Sequence, residues 1–523
     1  MRSFLQTKMN TAEQLNPNTK LLNLIEGLAE ISESQIAQIN PMVTGIQMDS
    51  RLLREGDLFI ACFGHNHDAR DYIDEAIDLR VSAVLAESGG DWQGASVVRG
   101  VPVIAVDNLA ACISEIAARF YSRPSTKLSV IGITGTNGKT SCSQFIAQAL
   151  SAMGRRCGVI GTLGYGIIGD LKETELTTPD AVFTQMALAE MVRDGVDPVV
   201  IEVSSVGLHQ KRVKSVQFET AIFTNLTRDH LDYHESMEAY AENKKKLFRS
   251  AGLKNAVVNL DDPYALAIIN TIATDVNIFT YSMKNSIATV YTEELRFTRT
   301  GFEARINTPL GRAELKGKLI GKFNISNLLA VITVLLSYIS KSSEVNIVEL
   351  CNRLSDLNPV NGRMEIIGES DDITAMVDYA HTPDGLRSAL VGLRDHFEGN
   401  IWCVFGCGGN RDKGKRPVMG EIAESHADRL IIADDNPRRE KGDEIVGHIL
   451  SGISDRSSVT VLRDRADAIS YAIENAAAGD VVLVAGKGHE TYQDIGGSKL
   501  IFSDANKVRL ALQRRSDKNR SNN

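Results

Sequence analysis

The sequence predicts an α/β protein of three domains built on mostly parallel sheets, and three observations predict it. Apolar, β-branched runs alternate with amphipathic stretches over most of the chain. One run, Ser129–Thr134, opens into a glycine-rich turn, Gly135-Thr-Asn-Gly-Lys-Thr140, followed by a helical pattern from Ser141 to Met153. Turn-forming segments at Ser122-Arg-Pro-Ser125 and Asn358-Pro-Val-Asn-Gly362 interrupt the alternation, placing boundaries near residues 127 and 358.

The first domain, 1–127, begins with a polar tail and an amphipathic helix (Leu21, Leu22, Leu24, Ile25, Leu28) within its first 40 residues. A small α/β unit follows: strands at 56–61, 82–86 and 103–106, with helices over Asp71–Leu79 and Asp107–Tyr121. The central domain, 128–358, has strands at Val130–Thr134, Val199–Val203, Thr220–Thr224 and Ala256–Asn259. Short strands and hairpins are predicted over 277–319, then an apolar helix over Asn327–Ser340. The C-terminal domain, 359–523, is Rossmann-like, with strands at 373–377, 401–405, 429–433, 458–462 and 481–485. Glycine-rich loops follow several of them, where ligands bind in open parallel sheets. The polar tail after Arg514 is predicted to be mobile.

Composition narrows the function classes. Of 523 residues, 43% are hydrophobic and 24% charged, as in ordinary globular proteins. A net charge of -9 argues against a general nucleic-acid binder. The seven cysteines form no C-x-x-C pair, which predicts reduced thiols and a cytoplasmic location. The N-terminus lacks the apolar core of an export signal, and the longest apolar run, Leu328–Ile339, is too short to insert in a membrane.

The turn at 135–140 fits a polyphosphate. Backbone N–H groups and the following helix N-terminus favour anions, Lys139 supplies a point charge, and the Thr140 hydroxyl can reach Mg²⁺. Its spacing is shorter than the common P-loop, because the first glycine of that pattern would fall at Ile133. Glu202 ends an apolar strand, a position suited to a metal ligand or water holder. In Thr224-Asn-Leu-Thr-Arg-Asp-His-Leu-Asp-Tyr-His234, His230 and His234 are four apart. By itself that spacing also fits a zinc site on a helix, whereas phosphate chemistry prefers hard ions. The loop at 406–417 is a glycine turn followed by a basic run and suits an anion. Asp434-Asp-Asn-Pro-Arg438 mixes acids with a guanidinium, which suits a zwitterion, and Ala485-Gly-Lys-Gly-His-Glu490 repeats the strand-then-glycine layout.

Thr134–Thr140, Asn225–Asp232, Gly321–Asn327, Asn361–Glu365 and Asp378–Pro383 together resemble the Mur ligase family. Met48–Arg51, Gly64–His67, Thr177–Pro179, Glu202–Ser205, 406–417, 435–438 and 486–490 resemble the branch that adds the third residue of the peptidoglycan stem peptide. The similarity runs in order over residues 43–505.

The resemblance implies ATP-driven activation of the carboxylate of UDP-N-acetylmuramoyl-L-Ala-D-Glu, with an acyl phosphate then attacked by an amine. It implies that Gly135, Thr136, Asn137, Gly138, Lys139, Thr140, Ser141, Asn324, Arg363, Asp378 and His381 serve ATP. Met48, Ser50, His65, Asn66 and His67 would hold the UDP end; Thr177, Thr178, Ser204, Gln210 and Arg212 the muramoyl-dipeptide. Lys139, Glu202, His230 and Lys244 would be catalytic, and Thr140, Glu202, His230 and a carbamylated Lys244 would ligate Mg²⁺. Arg411, Asp435, Asn436, Pro437, Arg438, Gly486 and Glu490 would bind the incoming amino acid. Meso-diaminopimelate is the expected amino acid, because Arg438 offers a fork for its second carboxylate and lysine-adding relatives lack that Arg. The partners implied are these small molecules only, with a monomeric enzyme. The rival readings are a lysine-adding ligase, a folylpolyglutamate synthetase-like ligase and a nucleotide-binding scaffold without catalysis. Val206, Leu176 and Asn410 depart from the residues usual in the family at those positions.

Overall fold

The computed structural model describes residues 18–29, 40–64, 67–339, 346–369 and 372–522. They pack as two units. One takes the described parts of Met1–Thr134 with Met153–Ala221 and Asn243–Lys254; the other takes those of Gly135–Ala152, Ile222–Glu242 and Asn255–Asn523.

In the first unit, one sheet runs in the order Gly45–Gln47, Asp57–Ala61, Ala83–Glu87, Val101–Val106, Ala95–Val98. The first four strands are parallel and the last is antiparallel. Asp57–Ala61 is buried throughout, as an apolar run between two covered faces should be. Ala95–Val98 was not predicted: it is an edge strand with little burial and no apolar alternation to announce it. The helix expected over 107–121 is shorter, Ile113–Phe120. Asn108 adopts a left-handed conformation (φ 50°) and starts a 3-10 turn at Leu109–Ala111, which delays the helix. The amphipathic N-terminal segment is helical only over Leu21–Ile25, and the predicted tail before it lies outside the described residues.

A second sheet of this unit pairs Val130–Thr134 with Val199–Glu202 and that strand with Gly158–Gly161, all parallel. Two short antiparallel strands, Gly164–Ile167 and Asp170–Lys172, extend it. Glu202 therefore lies at the carboxyl end of a parallel strand, where open sheets place their ligands.

In the second unit, Asn255–Asn259, Asn277–Ser282 and Val290–Thr298 are parallel. Gly301–Thr308 and Gly311–Gly317 continue antiparallel, as the hairpin reading of 277–319 expects. The apolar helix begins at Lys322, five residues before its predicted start, and so takes in Asn324. A six-stranded sheet has the order Glu365–Glu369, Thr374–Asp378, Val481–Ala485, Ile401–Phe405, Arg429–Ile432, Val459–Val461. All its pairings are parallel except that of the first strand. One face packs on Leu386, Leu390, Leu393, Met419 and Ile449, the other on Ile469, Ile473, Val508 and Ala511. Burial on both faces leaves the strand ends as the accessible chemistry: Asp378 ends one strand, and Asp435 and Gly486 lie just past two others.

The tail after Arg514 is not the free segment its polarity predicts. It is the end of helix Asp504–Asn522, and Arg515 pairs with Asp372 at 2.5 Å and donates to the Ile473 carbonyl at 2.5 Å. The start of that helix is held by a bidentate pair: Arg465 Nε and Nη2 donate to Asp504 Oδ1 and Oδ2, both at 2.8 Å, and both side chains are 0% exposed. Arg465 Nη2 also donates to the Ala485 carbonyl at 2.9 Å, just ahead of Gly486. Breaking the pair leaves a buried guanidinium without its counter-charge. Asp504→Ala is expected to lower unfolding free energy by about 3–5 kcal/mol in a denaturant titration.

Candidate functional site

The glycine-rich turn is built by groups far away in sequence. The Thr136 N–H donates to the Asn225 carbonyl (2.9 Å), and the Asn137 N–H donates to Asn225 Oδ1 (2.9 Å). Thr224 Oγ1 and Asn225 Nδ2 both donate to the Asn137 carbonyl, at 2.6 and 3.1 Å. Asn137 Nδ2 donates to Asp384 (3.1 Å). Lys139 opens the helix Lys139–Ala152, and its Nζ donates to the carbonyls of Gly135 (2.7 Å) and Thr136 (2.9 Å). The loop is thus fixed while its cation stays at the loop itself.

Arg363 joins this cluster. Its Nη2 donates to Thr140 Oγ1 at 3.3 Å, and its guanidinium lies 4.2 Å from the Tyr379 ring centroid. Asp378 is buried and accepts from the backbone N–H groups of Met364 (2.7 Å) and Ala380 (2.8 Å). Burial pushes its carboxyl up, against the pull of Arg363 and these N–H groups. Asn324 donates to the Ile320 carbonyl (2.8 Å) and accepts from Asn327 (3.3 Å).

His230 and His381 meet over Asp229: their Nε2 atoms lie 3.4 and 3.8 Å from its carboxylate, and Lys415 Nζ lies 3.8 Å away. Burial works to raise the Asp229 carboxyl, but His230, Lys415 and His381 outweigh it and hold it at about 2. The helical zinc pair is not formed. His230 is left-handed (φ 53°) ahead of the short helix Leu231–His234, and His234 is buried and stacked on Tyr240 at 5.2 Å.

The amino-acid candidates also gather in this unit. Asn436 Nδ2 donates to Glu490 (2.8 Å), and the buried Lys487 donates to Glu490 (2.7 Å) and Asn436 Oδ1 (3.0 Å). Asp435 Oδ1 accepts the Asn436 N–H (2.7 Å). Gly486 (φ 118°) comes so close that a Cβ there would sit 2.7 Å from Asp435 Oδ2. Pro437 is buried; Arg438 is half-buried, and its Nη1 donates to the Gly409 carbonyl (2.8 Å). Arg411 is exposed and donates to the Asn410 backbone carbonyl (3.2 Å). The Asn410 side chain instead accepts from the Arg439 N–H (3.2 Å), and its own N–H donates to Glu440 (2.5 Å). Arg416, fully buried, holds the Glu440 carboxyl down at about 2.

In the first unit Glu202 is 1% exposed and accepts from the Thr162 N–H and Oγ1, both at 3.0 Å. Gly161 makes room for it, since a Cβ there would strike the carboxylate. The hydroxyls of Thr162 and Thr177 are 3.0 Å apart. Thr178 Oγ1 donates to the Glu202 carbonyl (2.8 Å) and accepts the Ser204 N–H (2.9 Å). Arg212 donates to the Thr178 carbonyl (2.6 Å) and to Gln210 (2.5 Å). Glu202, Thr177, Thr178, Ser204, Gln210 and Arg212 therefore form one group. Lys244 is 1% exposed on helix Met237–Phe248. Met48 and Ser50 are half-buried and His67 is exposed; His65 and Asn66 lie outside the described residues. Sequence reasoning missed Thr224, Thr162, Lys487 and Lys415. Thr224, Lys415 and Lys487 stand inside the motifs at 224–234, 406–417 and 485–490, but nothing local marks them as contacts.

Three family models match: "Mur ligase family, catalytic domain" over residues 42–121, "Mur ligase middle domain" over 133–335, and "Mur ligase, glutamate ligase domain" over 362–488. A Coxiella burnetii protein named UDP-N-acetylmuramoyl-L-alanyl-D-glutamate--2,6-diaminopimelate ligase is 46% identical, over 90% of this chain and 96% of its own. A Pseudomonas aeruginosa protein of the same name is 45% identical over 91% and 96%. A solved structure titled with that enzyme name matches at TM-score 0.67 and 33% identity, covering 95% of this chain and 99% of its own. With this identity over nearly the whole chain, and with all three family models matched in order, the chain belongs to the Mur ligase family.

Proposed function

We propose that this chain is an ATP-dependent ligase that adds meso-2,6-diaminopimelate to the D-Glu of UDP-N-acetylmuramoyl-L-Ala-D-Glu in peptidoglycan precursor synthesis. The observation that carries the amino-acid assignment is the Asp435–Arg438 cluster with Glu490 and Lys487. It presents carboxylates, an amide and a guanidinium together, as a ligand with amines and two carboxylates requires. The names of relatives 45–46% identical support the same reading.

In the reaction, a carboxylate oxygen of D-Glu attacks the γ-phosphorus of ATP and ADP leaves. The amine of the incoming amino acid then attacks the acyl carbon, loses a proton, and expels phosphate. Lys139 and the N–H groups of 135–141 would take the phosphates, Asn324, Arg363, Asp378 and His381 the rest of the nucleotide. Thr177, Thr178, Ser204, Gln210 and Arg212 would orient the dipeptide, and Met48, Ser50 and His65–His67 the UDP end. Thr140, Glu202, His230 and carbamylated Lys244 suit a hard cation, being mainly oxygen donors with one imidazole. Mg²⁺ bound there would neutralise phosphate charge. The domains 1–127, 128–358 and 359–523 would hold nucleotide-sugar, ATP and amino acid respectively. Among the described residues no helix is long and apolar enough to cross a membrane, and a monomer working in the cytoplasm is proposed.

Purified enzyme given ATP, the nucleotide dipeptide and either amino acid tests the assignment. Diaminopimelate is expected to turn over far faster than L-lysine, because the second carboxylate answers Arg438. Faster turnover with L-lysine overturns the amino-acid assignment.

A further inference from the structure

The segment that carries the amino-acid cluster is held from behind by a strand that no motif marks. Gln493, buried on the strand Tyr492–Ile495, donates its side-chain amide to the carbonyls of Asp435 (2.8 Å) and Asp434 (3.2 Å). The next residue continues the contact: the Asp494 N–H donates to Asn436 Oδ1 (2.9 Å), and its carbonyl accepts the Arg438 N–H (2.9 Å). The Gly496 N–H then donates to the Arg438 carbonyl (2.7 Å). These bonds grip Arg438 at φ 51°, a conformation a non-glycine residue seldom holds unsupported.

We propose that Gln493 is a positioning residue for amino-acid selection, setting the placement of Asp435, Asn436 and Arg438 without touching the amino acid itself. This rests on the ligase reading above. A primary amide has two N–H donors, and Gln493 directs its amide nitrogen at two consecutive carbonyls. The two carbonyls belong to successive peptide units, 434–435 and 435–436, so rotation of either unit strains one of the contacts. Asn436 is locked in the same way: Oδ1 accepts from Lys487 and Asp494, and Nδ2 donates to Glu490, so its amide has one orientation. The selecting groups therefore inherit their positions from the Tyr492–Ile495 strand, and the donor that fixes the centre of the segment is a side chain, open to substitution.

The test is steady-state kinetics of the full-length enzyme carrying Gln493→Met, which keeps length and burial but removes both donors. KM for diaminopimelate is expected to rise at least about tenfold. The kcat/KM preference for diaminopimelate over L-lysine is expected to fall by a similar factor, with KM for ATP and for the nucleotide dipeptide unchanged. An unchanged KM for diaminopimelate, or an equal rise in all three KM values, overturns the proposal. If the Met variant does not fold, Gly496→Ala serves instead. A Cβ there meets nothing within 4 Å, so the strain falls on its left-handed backbone (φ 64°). It should raise the same KM alone, and failure to do so counts against the proposal. If the wild-type enzyme prefers L-lysine, the substrate reading fails. A selective rise in KM for L-lysine in Gln493→Met would still support the positioning role.

Discussion

Lys139→Ala is expected to abolish ADP and phosphate release, lowering kcat/KM by at least about 10³, while the thermal midpoint stays near wild type. The side chain contributes little that the fold needs. Its Nζ donates to the carbonyls of Gly135 and Thr136, whereas the loop is shaped mainly by Thr224, Asn225 and Thr136. What it supplies is a compact positive charge at the head of a helix, where ATP phosphates would lie. Lys139→Arg should not restore the rate, because a planar fork does not replace a point charge in a loop this tight. Phosphate release at the wild-type rate in Lys139→Ala would exclude the loop as the ATP site.

Lys244→Ala is expected to be as severe, again at least about 10³ in kcat, but with a different chemical signature. Lys244 is 1% exposed, so its nitrogen is shielded from bulk water, as a lasting carbamate requires. In carbamylation the ammonium first gives up a proton, and the free amine nitrogen then bonds to the carbon of CO2 and loses a second, so that two protons leave and a cation becomes a carboxylate-like anion. A short carboxylic acid such as acetate should therefore restore part of the activity of Lys244→Ala and none of that of Lys139→Ala. Wild-type enzyme grown with ¹³C-bicarbonate should show a carbamate carbon resonance that Lys244→Ala lacks. Full activity of Lys244→Ala without added acid would end the carbamate proposal. Folding is controlled for by the rescue itself, since acetate cannot restore a collapsed site.

Periodicity is a good guide to most strands buried on both faces, though it leaves out Gly158–Gly161, which is equally buried. The strands Asp57–Ala61, Val130–Thr134, Ile401–Phe405 and Val481–Ala485 are buried at every position and, the terminal Asp57 and Thr134 apart, stand out as apolar runs. It failed where a segment gains its structure from one neighbour. Ala95–Val98 and Ser498–Ile501 are exposed strands held by backbone pairing, and Asp504–Asn522 is a polar helix pinned by Arg465 and Arg515. The three positions that depart from family habit illustrate the same divide. Leu176 is exposed and Val206 half-buried, and the Asn410 side chain turns to the Arg439 N–H.

Residue order alone marks the α/β class, the glycine-rich turn at 135–140, the acid that ends strand Val199–Glu202 and the segments 434–438 and 485–490. Each depends on residues adjacent in the chain, where local sterics and solvation act. Tertiary structure alone decided which groups hold those clusters in place. Asn225 reaches Asn137 across 88 residues and Gln493 reaches Asp435 across 58. Hydrogen bonds of that span depend on sheet order and loop closure, and no period or spacing within a segment encodes them.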